Sequence, residues 1–125
     1  MPDEVSYHHY SLTFDPSELP NRLRDIRFVL VAGCSHRAEA LGHYLAEKLF
    51  DGVKFPRHQL EQWTRSRSRF SLFKLGPVLL SNHGMGCASM SIALHELFLM
   101  CQQAKIMDLI TVLRFGTCKC QIINR

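Results

Sequence analysis

The sequence lacks long hydrophobic runs, internal repeats and low-complexity segments. Its longest apolar stretches, such as Phe28 to Ala32, have the length of an interior strand. They fall far short of the roughly 20 residues that a membrane-spanning helix needs. Residues 1–4 are polar and acidic, and no basic segment leads into an apolar one. We therefore expect no signal peptide, no membrane partner and a cytoplasmic location.

Cysteines are too few and too irregular for a disulfide framework. They are Cys34, Cys87, Cys101, Cys118 and Cys120. Small secreted domains usually carry an even set of cysteines in a shorter, loop-rich chain. Cys118 and Cys120 form a close pair, but a structural zinc site needs four ligands and no second pair has suitable spacing. We expect free thiols in a reducing compartment and no metal.

Neither sign of charge is in large excess. The formal net charge is +4, from 15 Lys and Arg against 11 Asp and Glu. This excess suits the binding of a small anion but does not predict a nucleic-acid partner, which needs a dense basic face. The basic run Arg65–Arg69 has no interleaved aromatic residues and is typical of a solvated loop. The 125 residues suffice for one domain with one hydrophobic core.

The first half of the chain predicts an arm, a strand, a tight turn and a helix. Residues 1–25 are polar and punctuated by prolines, which favours an N-terminal arm. The apolar run at 27–32 ends at Gly33 and is typical of a strand buried on both faces. Ser35 is then a candidate N-cap for a helix whose apolar residues recur at helical spacing: Ala38, Leu41, Leu45 and Leu49.

The second half predicts two adjacent strands, a long helix and a final strand. The strands at 70–75 and 78–81 flank the turn dipeptide Gly76-Pro77. The helix extends from about 89 to 103 with a broad apolar stripe, and a strand follows at 109–115. The order β-α-β-β-α-β predicts an α/β fold with a mixed, mostly parallel sheet flanked by helices.

Three polar segments that contain glycine follow predicted strands, at 33–37, 83–86 and 114–117. In open α/β sheets, ligands bind outside the carboxyl ends of the strands, where loops and helix N-termini converge. The coincidence of three such segments indicates a ligand site at this edge more strongly than any one of them does.

The first of these segments joins a strand to a helix N-terminus. Free N–H groups and the helix dipole favour an anion there. Gly33 would let the backbone approach the anion closely, and Arg37 would add a bidentate positive group. A plain tight turn with a solvated arginine is the alternative explanation.

Arg114 is the sharpest single signal, because an arginine inside an apolar strand needs a carboxylate or a bound anion as partner. Thr117 offers a hydroxyl at the same end of the strand. An internal salt bridge, for instance to Glu96, is the alternative. Two arginines and a helix N-terminus at one sheet edge predict a phosphate pocket.

His83 is harder to assign, because it could serve as an acid, a ligand or a polar turn residue. No partner is identifiable from the sequence, so we expect a structural role. The spacing of Gly84 and Gly86 matches neither the dinucleotide nor the P-loop fingerprint, and close backbone approach is the better explanation for these glycines.

Four stretches carry a specific order of motifs: Lys74–Leu79 (KLGPVL), His83–Gly86 (HGMG), Ser89–Leu97 (SMSIALHEL) and Leu113–Thr117 (LRFGT). In this order and spacing they resemble the nucleoside phosphorylase family and, within it, the animal-type uridine phosphorylases. The match runs from about residue 9 to residue 118. It implies a partial copy of that family's α/β fold, incomplete at the C-terminus.

The resemblance also implies roles for individual residues. Four of them match family residues that bind phosphate within the subunit: Gly33, Arg37, Arg114 and Thr117. Arg69 matches an arginine that reaches the phosphate site of a neighbouring subunit, and His9 matches a histidine that touches the ribose across the same interface. The family builds such sites at the interfaces of dimers, often within larger rings.

The implied reaction is the reversible phosphorolysis of uridine to uracil and ribose 1-phosphate, without a metal or organic cofactor. The implied partners are inorganic phosphate and uridine or a related nucleoside. The family's base-binding residues, and the stretch that holds the ribose, belong to a second half with no counterpart here, since the chain reads CKCQIINR after Thr117 instead of a glycine-rich continuation. We expect the N-terminal half of a phosphorylase domain at 26–118, after the arm at 1–25, and a divergent tail at 119–125.

Departures from the family pattern leave three functional interpretations open. Cys34 and His36 replace small residues of the phosphate loop, and Cys87-Ala88 replaces an apolar residue and proline. The chain is a truncated uridine phosphorylase with little or no turnover alone, or a non-catalytic fragment that pairs with full-length subunits. The third interpretation is a phosphorylase for another nucleoside, because base choice lies mainly in the absent half.

Overall fold

A mixed five-stranded sheet lies between helices in the computed structural model, which describes residues 5–10, 12–15, 17–64, 68–84 and 86–116. The strands are β1 (Val5–Tyr7), β2 (Leu12–Phe14), β3 (Phe28–Ala32), β4 (Glu61–Gln62), β5 (Leu72–Leu75), β6 (Val78–Asn82) and β7 (Thr111–Phe115). The helices are α1 (Leu19–Leu23), α2 (Ser35–Lys48) and α3 (Gly86–Gln103), with 3₁₀ turns at His8–Tyr10 and Met107–Leu109. Within these ranges, no helix has the length and apolar character to cross a membrane.

The main sheet has the strand order β4-β5-β6-β3-β7, and β1 and β2 form a separate antiparallel pair. β3 is parallel to both of its neighbours, β6 and β7. β5 is antiparallel to β4 and to β6. Four strands (β3, β4, β6 and β7) therefore run in one direction and β5 in the other, which confirms the predicted mixed, mostly parallel sheet.

β3 separates two hydrophobic clusters, because successive side chains of a strand point to opposite faces of the sheet. Val29 and Val31 lie in the cluster that contains the buried residues of α3. Leu30 and Ala32 lie in the cluster that contains Ala38 of α2. From Val29 onward the strand is buried on both faces, as the sequence predicted.

The described part of the predicted N-terminal arm packs into the core. Tyr7, Tyr10 and Phe14 are buried in the cluster that contains α3. The short helix α1, which the sequence analysis did not predict, adds Leu19 and Leu23 to the same cluster. The domain boundaries proposed from the sequence stay predictions, and the tail at 119–125 lies outside the described residues.

Two predicted helix starts are wrong. Cys34 occupies the N-cap position of α2 without a capping hydrogen bond, and the predicted cap, Ser35, is the first helical residue. The Ser35 hydroxyl instead donates to Ser71 Oγ at 2.9 Å. The long helix α3 begins at Gly86 rather than near Ser89.

The last strand is an exposed edge. Among the described residues, β7 pairs with β3 alone. Every residue of β7 is exposed, including Val112, Leu113 and Phe115 at 37%, 44% and 44%. An apolar strand with one unpaired edge is a place where further chain would pair.

Two buried tyrosines give a test of the core. We predict that Tyr7→Phe is neutral or stabilising at pH 7, whereas Tyr10→Phe lowers the free energy of unfolding by about 1 kcal/mol. The Tyr7 hydroxyl is buried without a hydrogen-bond partner among the described residues. The Tyr10 hydroxyl donates to Ser81 Oγ at 2.6 Å, since that serine donates to the Asn82 carbonyl. Denaturant unfolding of both variants checks the prediction.

The same comparison at alkaline pH tests the burial of Tyr7. Burial, with a smaller contribution from Cys101, raises the pKa of Tyr7 to about 12 from 10.0. The stabilisation that depends on the neutral phenol is complete below pH 10 and is lost as the pH rises toward 12. The stability of Tyr7→Phe relative to wild type should therefore increase over that range. Equal losses in both variants at pH 7 would contradict the prediction.

Candidate functional site

The predicted edge of the sheet carries a cleft of about 440 Å³. It opens at the carboxyl ends of β3, β6 and β7, which the parallel pairings of β3 bring side by side. The residues that line it are Gly33, Cys34, Arg37, His83, Gly84, Gly86, Arg114 and Gly116. All three glycine-containing segments singled out in the sequence contribute to this cleft.

Arg114 is held in the cleft by His83. The histidine is only 4% exposed, and its Nδ1 lies 2.9 Å from the Gly84 carbonyl oxygen. A carbonyl only accepts hydrogen bonds, so Nδ1 carries the proton and Nε2 is an acceptor. That Nε2 accepts the Nε–H of Arg114 at 3.2 Å. The structural role expected for His83 is therefore specific, because it fixes the orientation of an arginine.

The rest of the Arg114 guanidinium lies close to Gly116. A Cβ added to Gly116 would come within 3.1 Å of Arg114 Nη1, so glycine leaves room for the side chain to fold back over the strand end. The guanidinium thus reaches the cleft from an exposed strand, and the premise that its charge is buried is wrong. The alternative of a salt bridge to Glu96 is also wrong, because Glu96 binds His9 instead.

Arg37 enters the cleft from the first turn of α2. Gly33 and Cys34 connect β3 to this helix, and the Cys34 side chain does not cap it. The positive end of the helix dipole therefore adds to the charge of the two arginines at one place. This is the arrangement by which helix N-termini bind phosphate or carboxylate groups.

The glycines of the cleft suit their positions for different physical reasons. Gly84 and Gly86 adopt φ values of +70° and +84°, which other residues rarely adopt. A Cβ on Gly84 would also lie 2.6 Å from Ser89 Oγ. A Cβ on Gly33 would meet no described atom within 4 Å, so the space in front of Gly33 is open to a ligand.

The structure brings together Gly33, Arg37 and Arg114, three of the four residues predicted to bind phosphate within the subunit. The fourth, Thr117, lies outside the described residues. The other described lining residues were not named as phosphate ligands, although they all lie in the three glycine-containing segments singled out in the sequence: Cys34, His83, Gly84, Gly86 and Gly116. Their position follows from the strand ends, so knowledge of the strand pairing is enough to find them.

Arg69 and His9 do not line this cleft. They lie elsewhere, and both contact Phe70. The Phe70 N–H donates to the His9 carbonyl at 3.1 Å, and the two ring centroids are 6.2 Å apart. The exposed Arg69 guanidinium lies 5.3 Å from the centroid of the Phe70 ring. The two residues predicted to act on a neighbouring subunit thus form a second group.

His9 is bound to Glu96, a contact that the sequence analysis missed. The backbone N–H of His9 donates to Glu96 Oε1 at 3.0 Å, and its Nδ1 lies 2.6 Å from Oε2. The two residues are 87 positions apart, so no local pattern links them. Among the described residues, no group of three or more His, Cys, Asp or Glu side chains is placed to hold a metal.

Comparison with known proteins gives matches over most of the chain. Over 117 residues, 94% of its length, it is 35% identical to uridine phosphorylase 1 of Mus musculus and spans 36% of that protein. It is 30% identical over 115 residues to the inactive uridine phosphorylase B of Schistosoma mansoni, covering 92% of the chain and 37% of that relative. The crystal structure of Schistosoma mansoni uridine phosphorylase in complex with thymine superposes with a TM-score of 0.79 at 31% identity. This superposition covers 92% of the chain and 37% of that structure. No family model matches the chain.

Over most of its own length the chain is similar to uridine phosphorylases, and its fold is a partial copy of theirs. It spans little more than a third of the length of the curated relatives that it matches.

Substitution by alanine should have different effects at the two kinds of glycine in the cleft. Gly84→Ala should lower the free energy of unfolding by about 1–3 kcal/mol, because it combines a positive φ with a clash against Ser89. Gly33→Ala is the matched control and should stay within about 0.5 kcal/mol of wild type, because its Cβ enters open space. Urea unfolding of both variants measures the difference, and similar losses in both would contradict this account of the cleft.

Proposed function

We propose that the cleft binds inorganic phosphate and that the chain is the phosphate-binding part of a uridine phosphorylase. The parent reaction is uridine plus phosphate to uracil and ribose 1-phosphate, and it belongs to pyrimidine nucleoside salvage. The observation that carries the proposal is the convergence of Arg37, Arg114 and the N-terminus of α2 on one cleft. These positive groups suit a small, doubly charged oxyanion.

In this proposal each group in the cleft has a separate task. The N-terminus of α2 and Arg37 bind the phosphate, and the open space before Gly33 lets the phosphate approach the backbone. Arg114, which His83 orients, also binds the phosphate. Thr117 follows on the chain and is assigned to the same site by the sequence resemblance. A phosphate held in this way presents an oxygen to the anomeric carbon of the sugar, and its negative charge stabilises the positive charge that develops on the sugar in the transition state.

The separate group of His9 and Arg69 supports the proposal that both residues act on a partner's site. Neither lines the cleft of its own subunit, and the contacts around Phe70 hold them on one surface. We propose that this surface contacts a second copy in a homodimer or larger ring. Arg69 would then reach the partner's phosphate, and His9 would touch the ribose hydroxyl.

We further propose that the 125-residue chain has little or no phosphorolytic activity by itself. The cleft lies beside the exposed strand β7, and no residue with a base-binding role is identified in the sequence. The proposed nucleoside is uridine or a close relative, and the complex of the Schistosoma mansoni enzyme with thymidine makes thymidine a second candidate. The free thiol of Cys101, in a chain with an odd cysteine count, favours the cytoplasm as the location.

The exposed β7 also favours a second candidate function, a non-catalytic fragment that pairs with a full-length subunit. An unpaired apolar edge is a surface on which another chain can add. Such a fragment would supply His9 and Arg69 to a complete partner without turning over substrate itself. Co-purification with a full-length uridine phosphorylase after mixing would favour this function over a simple phosphate-binding fragment.

Substitution of Arg114 tests the proposed phosphate site. Arg114→Gln should weaken phosphate binding about tenfold or more, because hydrogen bonds to charged groups contribute about 1.5–3 kcal/mol each. Arg24→Gln removes an exposed arginine outside the cleft and should leave the affinity unchanged. Isothermal titration calorimetry with inorganic phosphate measures both variants.

Two outcomes would contradict the proposal. One is an Arg114→Gln variant that binds phosphate as tightly as wild type. The other is an equal loss in the Arg24→Gln control, which would show that general charge rather than the cleft binds the anion. Release of uracil from uridine by the purified chain should stay at background, and rapid release would contradict the proposed inactivity.

A further inference from the structure

Three hydrogen bonds hold His9 in place. Its backbone N–H and its ring Nδ1 both meet the carboxylate of Glu96, at 3.0 Å and 2.6 Å, and its carbonyl accepts the Phe70 N–H at 3.1 Å. These contacts fix both the backbone of the 3₁₀ turn and the plane of the imidazole. The ring atom that remains for other partners is Nε2.

Burial of the Glu96 carboxylate is energetically costly. It sits in the middle of α3, is only 7% exposed, and belongs to a helix whose other buried residues are Ala93, Leu97, Met100 and Cys101. A buried carboxylate is tolerated when it is paired and hydrogen-bonded. His9 gives it a donor to each oxygen, and the aligned motif places Glu96 in the segment that resembles the family.

The carboxylate also decides which ring nitrogen of His9 carries a proton. An ionised carboxylate only accepts hydrogen bonds, so the Nδ1 that faces it must be the donor. When the imidazole is neutral, Nε2 is then an acceptor, suited to the O–H of a sugar. A second cleft of about 650 Å³ opens beside this pair, and both His9 and Glu96 are among its lining residues.

We infer that Glu96 is a positioning residue, which fixes the tautomer and orientation of His9 so that Nε2 accepts a hydrogen bond from a pentose hydroxyl. The inference rests on the proposed function, in which His9 contacts the ribose of a neighbouring subunit. Glu96 does not touch the ligand in this account. The competing explanation is that the pair only attaches the N-terminal segment to α3.

The tautomer is tested first, on the wild-type 125-residue protein. Nitrogen-15 spectra of the histidine side chains should show His9 protonated at Nδ1, with that proton slow to exchange. In Glu96→Gln the preference for this tautomer should weaken. His43 provides the matched control, because its exposed contact with Glu39 is 3.7 Å long and Glu39→Gln should leave the His9 signals unchanged. A neutral His9 protonated at Nε2 in wild type would overturn the inference.

Ligand binding then separates positioning from a merely structural role. We expect Glu96→Gln to weaken ribose 1-phosphate binding about tenfold while inorganic phosphate binding stays near wild type, because only the sugar meets Nε2. His9→Ala should show the same selective loss, and the double variant Glu96→Gln with His9→Ala should be no weaker than His9→Ala alone. Glu39→Gln should bind both ligands normally.

The outcomes distinguish this inference from the proposed function. Wild-type protein that binds phosphate, with Glu96→Gln weakening both ligands equally or neither, overturns the positioning role alone. Wild-type protein that binds neither ligand overturns the proposed function and the ribose contact with it. Binding is measured where sedimentation shows a dimer, and a monomer at every concentration would overturn the placement of His9 in a partner's site.

Discussion

The parallel pairing of β3 with both of its neighbours is the constraint on which the rest of the structure depends. It brings the carboxyl ends of three strands to one edge, so residues from distant parts of the chain line a single cleft. Residue 32 of β3 pairs with Asn82 of β6 and Phe115 of β7, and the loops that follow all begin at this level. Without that register, Arg37, His83 and Arg114 would not converge.

A second consequence of this pairing is the way in which Arg114 is held. β7 is exposed on both faces, so packing contributes little to the orientation of its side chains. The orientation comes instead from His83 on the neighbouring loop, whose own tautomer is fixed by the Gly84 carbonyl. A short chain of hydrogen bonds, rather than packing in the core, therefore orients the Arg114 guanidinium. The His9 ring is likewise oriented by a hydrogen bond, which it makes to Glu96.

Local patterns were sufficient to predict much of this fold. The apolar run that ends at Gly33 predicted β3 and its burial on both faces. The turn dipeptide Gly76-Pro77 predicted two adjacent strands, which are β5 and β6. These patterns also predicted Gly33, Arg37 and Arg114 as neighbours, because strand ends follow from strand positions. Contacts between distant residues were not predictable in this way. Ser35 bonds to Ser71 rather than capping its helix, and the burial of Tyr7 and Tyr10 depends on α3.

Thermal unfolding of the purified protein, with and without millimolar phosphate, tests the central claim most directly. The account predicts one cooperative transition that phosphate raises by a few degrees, since saturation at about ten times the dissociation constant adds about 1.4 kcal/mol. Sulfate at the same ionic strength controls for general screening and should raise the transition less. A transition that phosphate does not move, or no cooperative transition, would contradict the claim that this chain folds around a phosphate-binding cleft.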